Sequence, residues 1–182
     1  MKIIIIDNSD LSYSGDDLNG KTLRGTEASL ILLSEQFIKM GIHVDYCNCI
    51  NSKKKVNGVT YFNKKKIDKK VIYDLAIAIS DANLFYFVTS IKKAVFSNSN
   101  QPIEKFIRKK QLIPFLKFKP VVITLCDYQF KKRSFFTSFY GKKTIPITVD
   151  PKFLETNFDI NYLPEKKVIY NIRSNRNLDQ LI

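Results

Sequence analysis

Long apolar runs are absent from this sequence, and cysteine is scarce. No apolar run approaches the roughly 20 residues of a membrane-spanning helix. The cysteines number three, an odd set. Cys47 and Cys49 fall on one face of a predicted strand, which favours reduced core thiols over a disulfide. The chain enters a strand at once, without the layout of a signal peptide. These features predict a cytoplasmic protein.

The tight Gly-x-Gly-x-x-Gly triplet of dinucleotide-binding folds is also missing. The second predicted strand, residues 44–49, ends in Ile50 and Asn51, so it lacks the carboxylate that would bind a ribose hydroxyl. His43 is the only histidine, and we expect it simply to open that strand. A dinucleotide site is therefore disfavoured.

Acidic residues are few relative to basic ones. The chain has 30 Lys and Arg against 17 Asp and Glu, a net charge of +13. Such a balance indicates phosphate-rich partners or an anionic membrane surface. It is equally typical of a generic protein encoded by an AT-rich genome, since Lys, Asn, Ile, Phe and Tyr are all abundant. Both explanations stay open.

Strands and helices alternate along the chain. Residues 3–6 are an isoleucine run ending at Asp7, a polar loop with glycines follows, and residues 26–40 have a helical pattern that Gly41 ends. With the strand at 44–49, this order is typical of the first crossover of a parallel sheet. Its loop and helix N-terminus form a common anion site. We predict an α/β fold: a Rossmann-like, mostly parallel sheet with helices on both faces.

Later segments continue the alternation. Buried strands are predicted at 74–80, 94–97, 121–125 and 144–148, a short strand or ribbon at 56–62, and a helix from 102 to 112 that Pro114 ends. Residues 84–89 fit a strand or a helix equally. Ligands of open α/β sheets bind where the strands end. The polar strand ends are residues 7–9, 80–81, 97–100 and 127–128.

A Walker A pattern occurs at Gly15 to Thr22, including Lys21, and 121–127 is similar to a Walker B strand. A P-loop starts directly at a strand end, whereas seven residues separate Asp7 from Gly15. Asp16 and Asp17 would also add negative charge to a phosphate cradle. A P-loop NTPase stays an alternative function, as does a basic membrane-binding or nucleic-acid-binding module.

Three segments together resemble GT-B glycosyltransferases of the group 1/family 4 type, which use nucleotide sugars. Arg24-Gly25-Thr26-Glu27-Ala28-Ser29-Leu30 followed by Gly41-Ile42-His43-Val44 resembles their opening turn, helix and strand. Residues 145–153 resemble their Ile-Pro-Asn-Gly-Val-Asp-x-x-x-Phe domain crossing, with Ile147-Thr148 in place of Asn-Gly. Residues 168–181 look like their next strand, basic turn and helix, with Asn177 in place of a glycine.

The resemblance implies a domain organisation and a reaction. Residues 1–161 would be a Rossmann-like acceptor-side domain, and residues 162–182 a linker with the first strand and helix of a missing or truncated donor-binding domain. The parent enzyme would transfer a sugar from a nucleotide-sugar donor to a sugar or lipid-linked acceptor, with no covalently bound cofactor and no metal. This chain alone is expected to be inactive, because half of the active-site cleft would lie past Ile182.

The resemblance also implies site residues, while the catalytic residues stay unassigned. Arg173 and Arg176 match positions facing the donor diphosphate, or they are surface charges. Glu27 is either a ligand or a first-turn acid that favours the helix dipole. Family members often carry a histidine after the strand that corresponds to residues 94–97, and this sequence departs from them there. Its two asparagines in residues 97–100 either bind sugar hydroxyls or cap a helix. The predicted substrate-binding residues are Gly25, Thr26, Glu27, Asn98, Asn100 and Asp127.

A basic amphipathic segment predicts a second kind of partner. Apolar residues 103, 106, 107, 112, 113, 115 and 116 are interleaved with bases such as Arg108, Lys109 and Lys110. The segment either binds an anionic membrane, which would place the protein peripherally at the inner face, or packs on the sheet. Nucleic acid is not expected, because no aromatic platform is clearly interleaved on a solvent face. The apolar strand 168–172 is expected to pack on the first domain, pair with another chain or be poorly ordered.

Overall fold

The computed structural model describes residues 1–19, 23–97, 103–131, 137 and 141–145. This part of the chain contains one eight-stranded sheet with the order β3-β4-β2-β1-β5-β6-β7-β8. Neighbouring strands are parallel except for the antiparallel pair β3–β4. The predicted α/β class with a mostly parallel sheet is therefore confirmed. The strands are β1 Lys2–Ile6, β2 His43–Asn48, β3 Lys54–Val56, β4 Val59–Asn63, β5 Ile72–Ile79, β6 Thr89–Ser97, β7 Val121–Thr124 and β8 Lys142–Thr144.

Strand β1 lies at the point where the sheet reverses its direction of growth. From β1 the chain adds β2 and β4 on one side, and it then returns to add β5, β6, β7 and β8 on the other. At the carboxyl end of β1, Ile6 is level with Cys47 of β2 and with Ala78 of β5. The connections leaving β1 and β5 diverge, which opens a crevice above this pair of strands.

The isoleucine run of β1 supplies both faces of the core. Residues 3–6 are all 0% exposed. Because side chains alternate along a strand, Ile3 and Ile5 pack on one face and Ile4 and Ile6 on the other. A strand buried on both faces reads as a continuous apolar run rather than an alternating one.

Helices cover both faces in the described part of the chain. Helix α1 (Gly25–Lys39) contributes Leu30 and Ile31 to the first face. The 3-10 helix Ala82–Phe87 packs on the second face. It is joined there by Phe106 of α2 (Ile103–Arg108) and Phe115 of α3 (Leu112–Phe118). A short helix α4, Asp127–Lys131, follows β7. No helix in the described ranges is long and apolar enough to cross a bilayer.

The single helix predicted from 102 to 112 is wrong. The structure has α2 and α3, separated by Lys110 with a positive φ of 51°. Pro114 does not end a helix. It lies in the first turn of α3, where a backbone N–H has no intrahelical partner to lose. The apolar residues of this segment do not all face the sheet. Phe106 and Phe115 are buried, with their rings edge to face and the ring centroids 4.9 Å apart, whereas Ile107 is exposed.

A hairpin occupies the region predicted as a strand or ribbon. β3 and β4 are joined by Asn57 (φ 48°) and Gly58 (φ 86°), two successive left-handed residues that suit a tight hairpin turn. The ambiguous segment 84–89 is mostly a 3-10 helix, Ala82–Phe87. β8 begins and ends earlier than predicted, at Lys142–Thr144. Residues 146–182 lie outside the described residues, and with them the predicted domain boundary at 161 and the strand at 168–172.

Replacing Gly58 with alanine is predicted to destabilise the protein by about 2 kcal/mol, since the left-handed backbone alone costs a side chain about 1–2 kcal/mol. An added Cβ would also lie 2.5 Å from Cγ2 of Ile38. Gly25→Ala is the matched control, because a Cβ there meets nothing within 4 Å. Urea unfolding of both variants measures the difference. Equal midpoints would contradict the strained turn.

Candidate functional site

A buried carboxylate marks the end of β1. Asp7 is 5% exposed, and its amide still donates to the carbonyl of Cys47 at 2.8 Å. The carboxylate accepts hydrogen bonds from the Ser9 amide at 2.9 Å, the Ser9 hydroxyl at 2.7 Å and the Tyr13 hydroxyl at 2.6 Å. With three donors around it, this buried charge is well satisfied and holds the following loop against the sheet.

Two phenols extend the network under α1. The hydroxyls of Tyr13 and Tyr46 are 2.7 Å apart, and the Tyr46 ring packs on Tyr61 with centroids 5.4 Å apart. Burial raises the pKa of Tyr13 and Tyr46 well above the usual value, and the negative Asp7 nearby raises both further. Both phenols therefore stay protonated near neutral pH. They act there as hydrogen-bond donors and not as bases.

The predicted residues Gly25, Thr26 and Glu27 form the first turn of α1. Arg24 occupies the N-cap position without a side-chain cap hydrogen bond. Glu27 is 4% exposed, and its Oε1 lies 3.6 Å from Nη1 of Arg24. Its Oε2 is buried without a hydrogen-bond partner among the described residues. A first-turn acid favours the helix dipole, and the unpartnered oxygen can also accept a ligand hydroxyl.

A cavity of about 490 Å³ opens on the opposite face of the sheet, between the end of β1, the loop that joins β4 to β5 and the 3-10 helix that follows β5. Its end at β1 lies where open α/β sheets bind ligands, and the volume falls within the range of about 300–1,000 Å³ for ligand pockets. Its lining combines an apolar floor with three lysines. The lining residues are Ile6, Asn8, Lys64, Lys65, Ile67, Lys69, Leu84 and Phe87.

Hydrogen bonds fix the loop that carries these lysines, residues 64–71 between β4 and β5, here called the lysine loop. Asn63 at the end of β4 accepts from the Lys65 amide at 3.0 Å, and its own amide group donates to the Ile50 carbonyl at 3.0 Å. The carbonyl of Lys69 accepts from the Thr89 hydroxyl at 2.8 Å. The Lys64 ammonium donates to the side-chain oxygen of Asn8. The backbone of the lysine loop is thus anchored to β2, β4 and β6.

None of the described residues predicted to bind substrate lines this cavity. Gly25, Thr26 and Glu27 belong to the face that α1 covers. Asp127 begins α4 after β7, is exposed, and accepts from the Thr144 hydroxyl at 3.1 Å. The predicted residues Asn98, Asn100, Arg173 and Arg176 lie outside the described residues.

The cavity lysines and Phe87 were not predicted as site residues. One sequence signal indicates the lysines, because the basic run Lys64–Lys66 comes just after the strand predicted at 56–62. The pattern of that strand does not show that it pairs in parallel with β2. A second signal was alternation beyond the end of β1, which puts Ile6 and Asn8 on one side and Asp7 on the other.

The Walker-like segment is built differently from a phosphate-binding loop. Gly15–Asn19 is a 3-10 helix in which Asp17 accepts from the Ser14 amide at 2.8 Å. Asp16 pairs with Lys54 at 2.9 Å. Residues 20–22, including Lys21, lie outside the described residues. A P-loop places its lysine at the start of a helix, whereas α1 begins at Gly25.

Comparison with protein-family models, with curated proteins and with solved structures found no match. In the described part of the chain, no group of three or more His, Cys, Asp or Glu side chains is arranged to hold a metal ion. The chemistry available at the site is therefore that of the cavity, the carboxylates and the lysines.

Tyr13→Phe is predicted to destabilise the protein by about 1–3 kcal/mol, the usual cost of removing one partner of a buried hydrogen bond. The variant removes a donor from the buried Asp7 carboxylate and the partner of the Tyr46 hydroxyl. Tyr86→Phe serves as the control, since Tyr86 is 40% exposed. Guanidinium unfolding of the two variants compares the losses. A Tyr13→Phe variant as stable as Tyr86→Phe would show that the network is not structural.

Proposed function

We propose that this chain is the acceptor-side, Rossmann-like domain of a GT-B glycosyltransferase that uses a nucleotide-sugar donor. The observation that carries the proposal is the ligand-sized cavity at the point where the strand order reverses. Open α/β sheets bind their ligands at this position. In the proposed enzyme the cavity holds the acceptor.

The opening segment that resembles these glycosyltransferases supports the proposal. Gly25, Thr26 and Glu27 begin a 15-residue helix just after the loop that leaves β1. The buried Glu27 has one carboxylate oxygen without a hydrogen-bond partner among the described residues. A sugar hydroxyl is a suitable donor to such an oxygen, and the bond would offset the cost of burying it. We assign Glu27 to sugar binding on the α1 side of the sheet edge.

The remaining roles rest on the resemblance for the two arginines and on the polar strand ends for the other residues. Arg173 and Arg176 are assigned to the donor diphosphate, where arginine can make paired hydrogen bonds to phosphate oxygens. Asn98 and Asn100 are assigned to acceptor hydroxyls, and Asp127 to substrate binding after β7. No catalytic base is assigned, because Tyr13 and Tyr46 remain protonated under working conditions.

The proposal predicts that the chain binds sugars through Glu27. Saturation-transfer NMR with a panel of mono- and disaccharides, including their phosphates, should show transfer to the sugar ring protons. For the best binder, Glu27→Gln should weaken binding about tenfold, the effect of one hydrogen bond to a charged group. Glu35→Gln on the same helix, whose carboxylate accepts from Asn57, is the control.

The NTPase alternative gives the opposite result in the same samples. It predicts magnesium-dependent ATP binding that is lost in Lys21→Ala, with no saturation transfer to any sugar. That combination would overturn the glycosyltransferase proposal. Sugar binding that is insensitive to Lys21→Ala supports it.

A membrane-facing surface is a second proposal, favoured by the exposed apolar side chains of α2 and α3. Ile107, Ile113 and Leu116 are 62%, 72% and 48% exposed. Arg108, Lys109, Lys110 and Lys117 are exposed beside them. Shallow insertion of apolar side chains, with about 1 kcal/mol of attraction per base near anionic lipid, is the physical basis of such binding.

Liposome co-sedimentation tests this surface. The vesicles contain about 30–40% anionic lipid. Binding to them should fall at least about fivefold when Arg108, Lys109 and Lys110 are changed to Glu. The control reverses Lys39, Lys53 and Lys55, three exposed bases on other elements. Equal losses for both triple variants, or equal binding to neutral vesicles, would exclude a specific membrane surface.

A further inference from the structure

We infer that the cavity between the end of β1, the β4–β5 loop and the 3-10 helix binds a phosphate or diphosphate ester of an apolar group. The ammonium groups of Lys64, Lys65 and Lys69 hold the phosphate, and Ile67, Leu84 and Phe87 cover the apolar group. Binding of such an ester does not depend on the proposed function. Only the identification of the ester as the glycosyl acceptor rests on it.

The charge of the cavity is uncompensated. Among the described residues, three lysines and no carboxylate line it. Lys64 donates to the neutral Asn8, and the ammonium groups of Lys65 and Lys69 make no ion pair with any described residue. Like charges that line one low-dielectric pocket attract an anion. Lysine binds phosphate as a point charge, so these lysines suit a multiply charged phosphate group.

The neighbouring acids are already engaged. Asp7, which precedes Asn8, faces the tyrosines under α1 and accepts from Tyr13 and Ser9. Asp68 belongs to the lysine loop, but it is exposed, and its Oδ1 accepts from the amide of Lys70 at 2.9 Å. Asp81 at the end of β5 accepts from the amide of Asn83 at 2.9 Å. These three carboxylates therefore serve the backbone and the phenols, and none of them lines the pocket.

The rest of the lining is apolar, which distinguishes an ester from free phosphate. Ile6 and Leu84 are buried beneath the cavity, and Phe87 is 52% exposed at its side. Inorganic phosphate would leave this apolar surface in contact with water. A ligand with an apolar group next to its phosphate can cover this apolar surface and contact the lysines at the same time.

The lysine loop is preorganised for this task. Asn63 holds the Lys65 amide, and Thr89 holds the Lys69 carbonyl, as described above. Because the loop is already ordered, ligand binding costs little backbone entropy. A larger part of the interaction free energy then contributes to the binding affinity.

The loop offers matched controls. Lys66 follows Lys65 in the same 3-10 turn, and Lys70 follows Lys69, yet neither Lys66 nor Lys70 lines the cavity. All four lysines are exposed. Alanine variants of each pair carry the same net charge and differ only in which ammonium group reaches the pocket.

Isothermal titration of the full chain with octyl phosphate, inorganic phosphate and octyl glucoside tests the inference. Octyl phosphate should bind at least about tenfold more tightly than inorganic phosphate, and octyl glucoside more weakly than octyl phosphate. Lys65→Ala and Lys69→Ala should each weaken octyl phosphate at least about fivefold, while Lys66→Ala and Lys70→Ala change it less than about twofold. Phe87→Ala should weaken octyl phosphate and leave inorganic phosphate unchanged.

Two results would overturn the inference. Equal losses in all four lysine variants would mean attraction by overall charge, and equal affinities for octyl phosphate and inorganic phosphate would mean a site for the free anion. The proposed function fails separately. Octyl phosphate binding with no saturation transfer to any sugar removes the glycosyltransferase and keeps this inference, whereas binding of neutral sugars without octyl phosphate does the reverse.

Discussion

The burial of β1 on both faces and along both edges is the constraint on which the rest of the structure depends. Its isoleucines pair with β2 on one side and β5 on the other, and they pack under α1 on one face and under the 3-10 helix and α3 on the other. An apolar strand this enclosed can occupy only the middle of a sheet. Its central position forces the chain to grow outward in both directions and so creates the crevice at its carboxyl end.

That crevice divides two kinds of chemistry between the two sides of one strand end. Asp7 turns towards α1, and its carboxylate joins the hydroxyls of Tyr13 and Tyr46 in one hydrogen-bond network. Asn8 turns the other way and joins the lysines of the cavity. The alternation of the backbone thus separates a rigid hydrogen-bonded support from a cationic pocket. In the glycosyltransferase that we propose, an acceptor with both hydroxyls and a phosphate would use both sides of this edge.

Much of the fold was accessible from residue patterns. The isoleucine run predicts a buried strand, and Gly41 predicts the end of the first helix; the structure confirms both. The errors came where a residue's meaning depends on its position. Pro114 reads as a helix breaker, yet it is harmless in a first turn. The predicted strand or ribbon at 56–62 runs through Asn57-Gly58, whereas these two residues form a hairpin turn and have the positive φ that such turns require.

The sequence by itself determined the α/β class, the central strand and the excess of basic residues, because periodicity and composition are properties of the chain alone. Only the tertiary structure decided which lysines line the cavity. Lys65 and Lys66 are neighbours of the same type and exposure, but the turn after β4 points one into the cavity and the other away. That choice depends on the pairing of β4 with β2 and on the anchor at Asn63. Contacts between residues distant in sequence set it, and no local pattern records them.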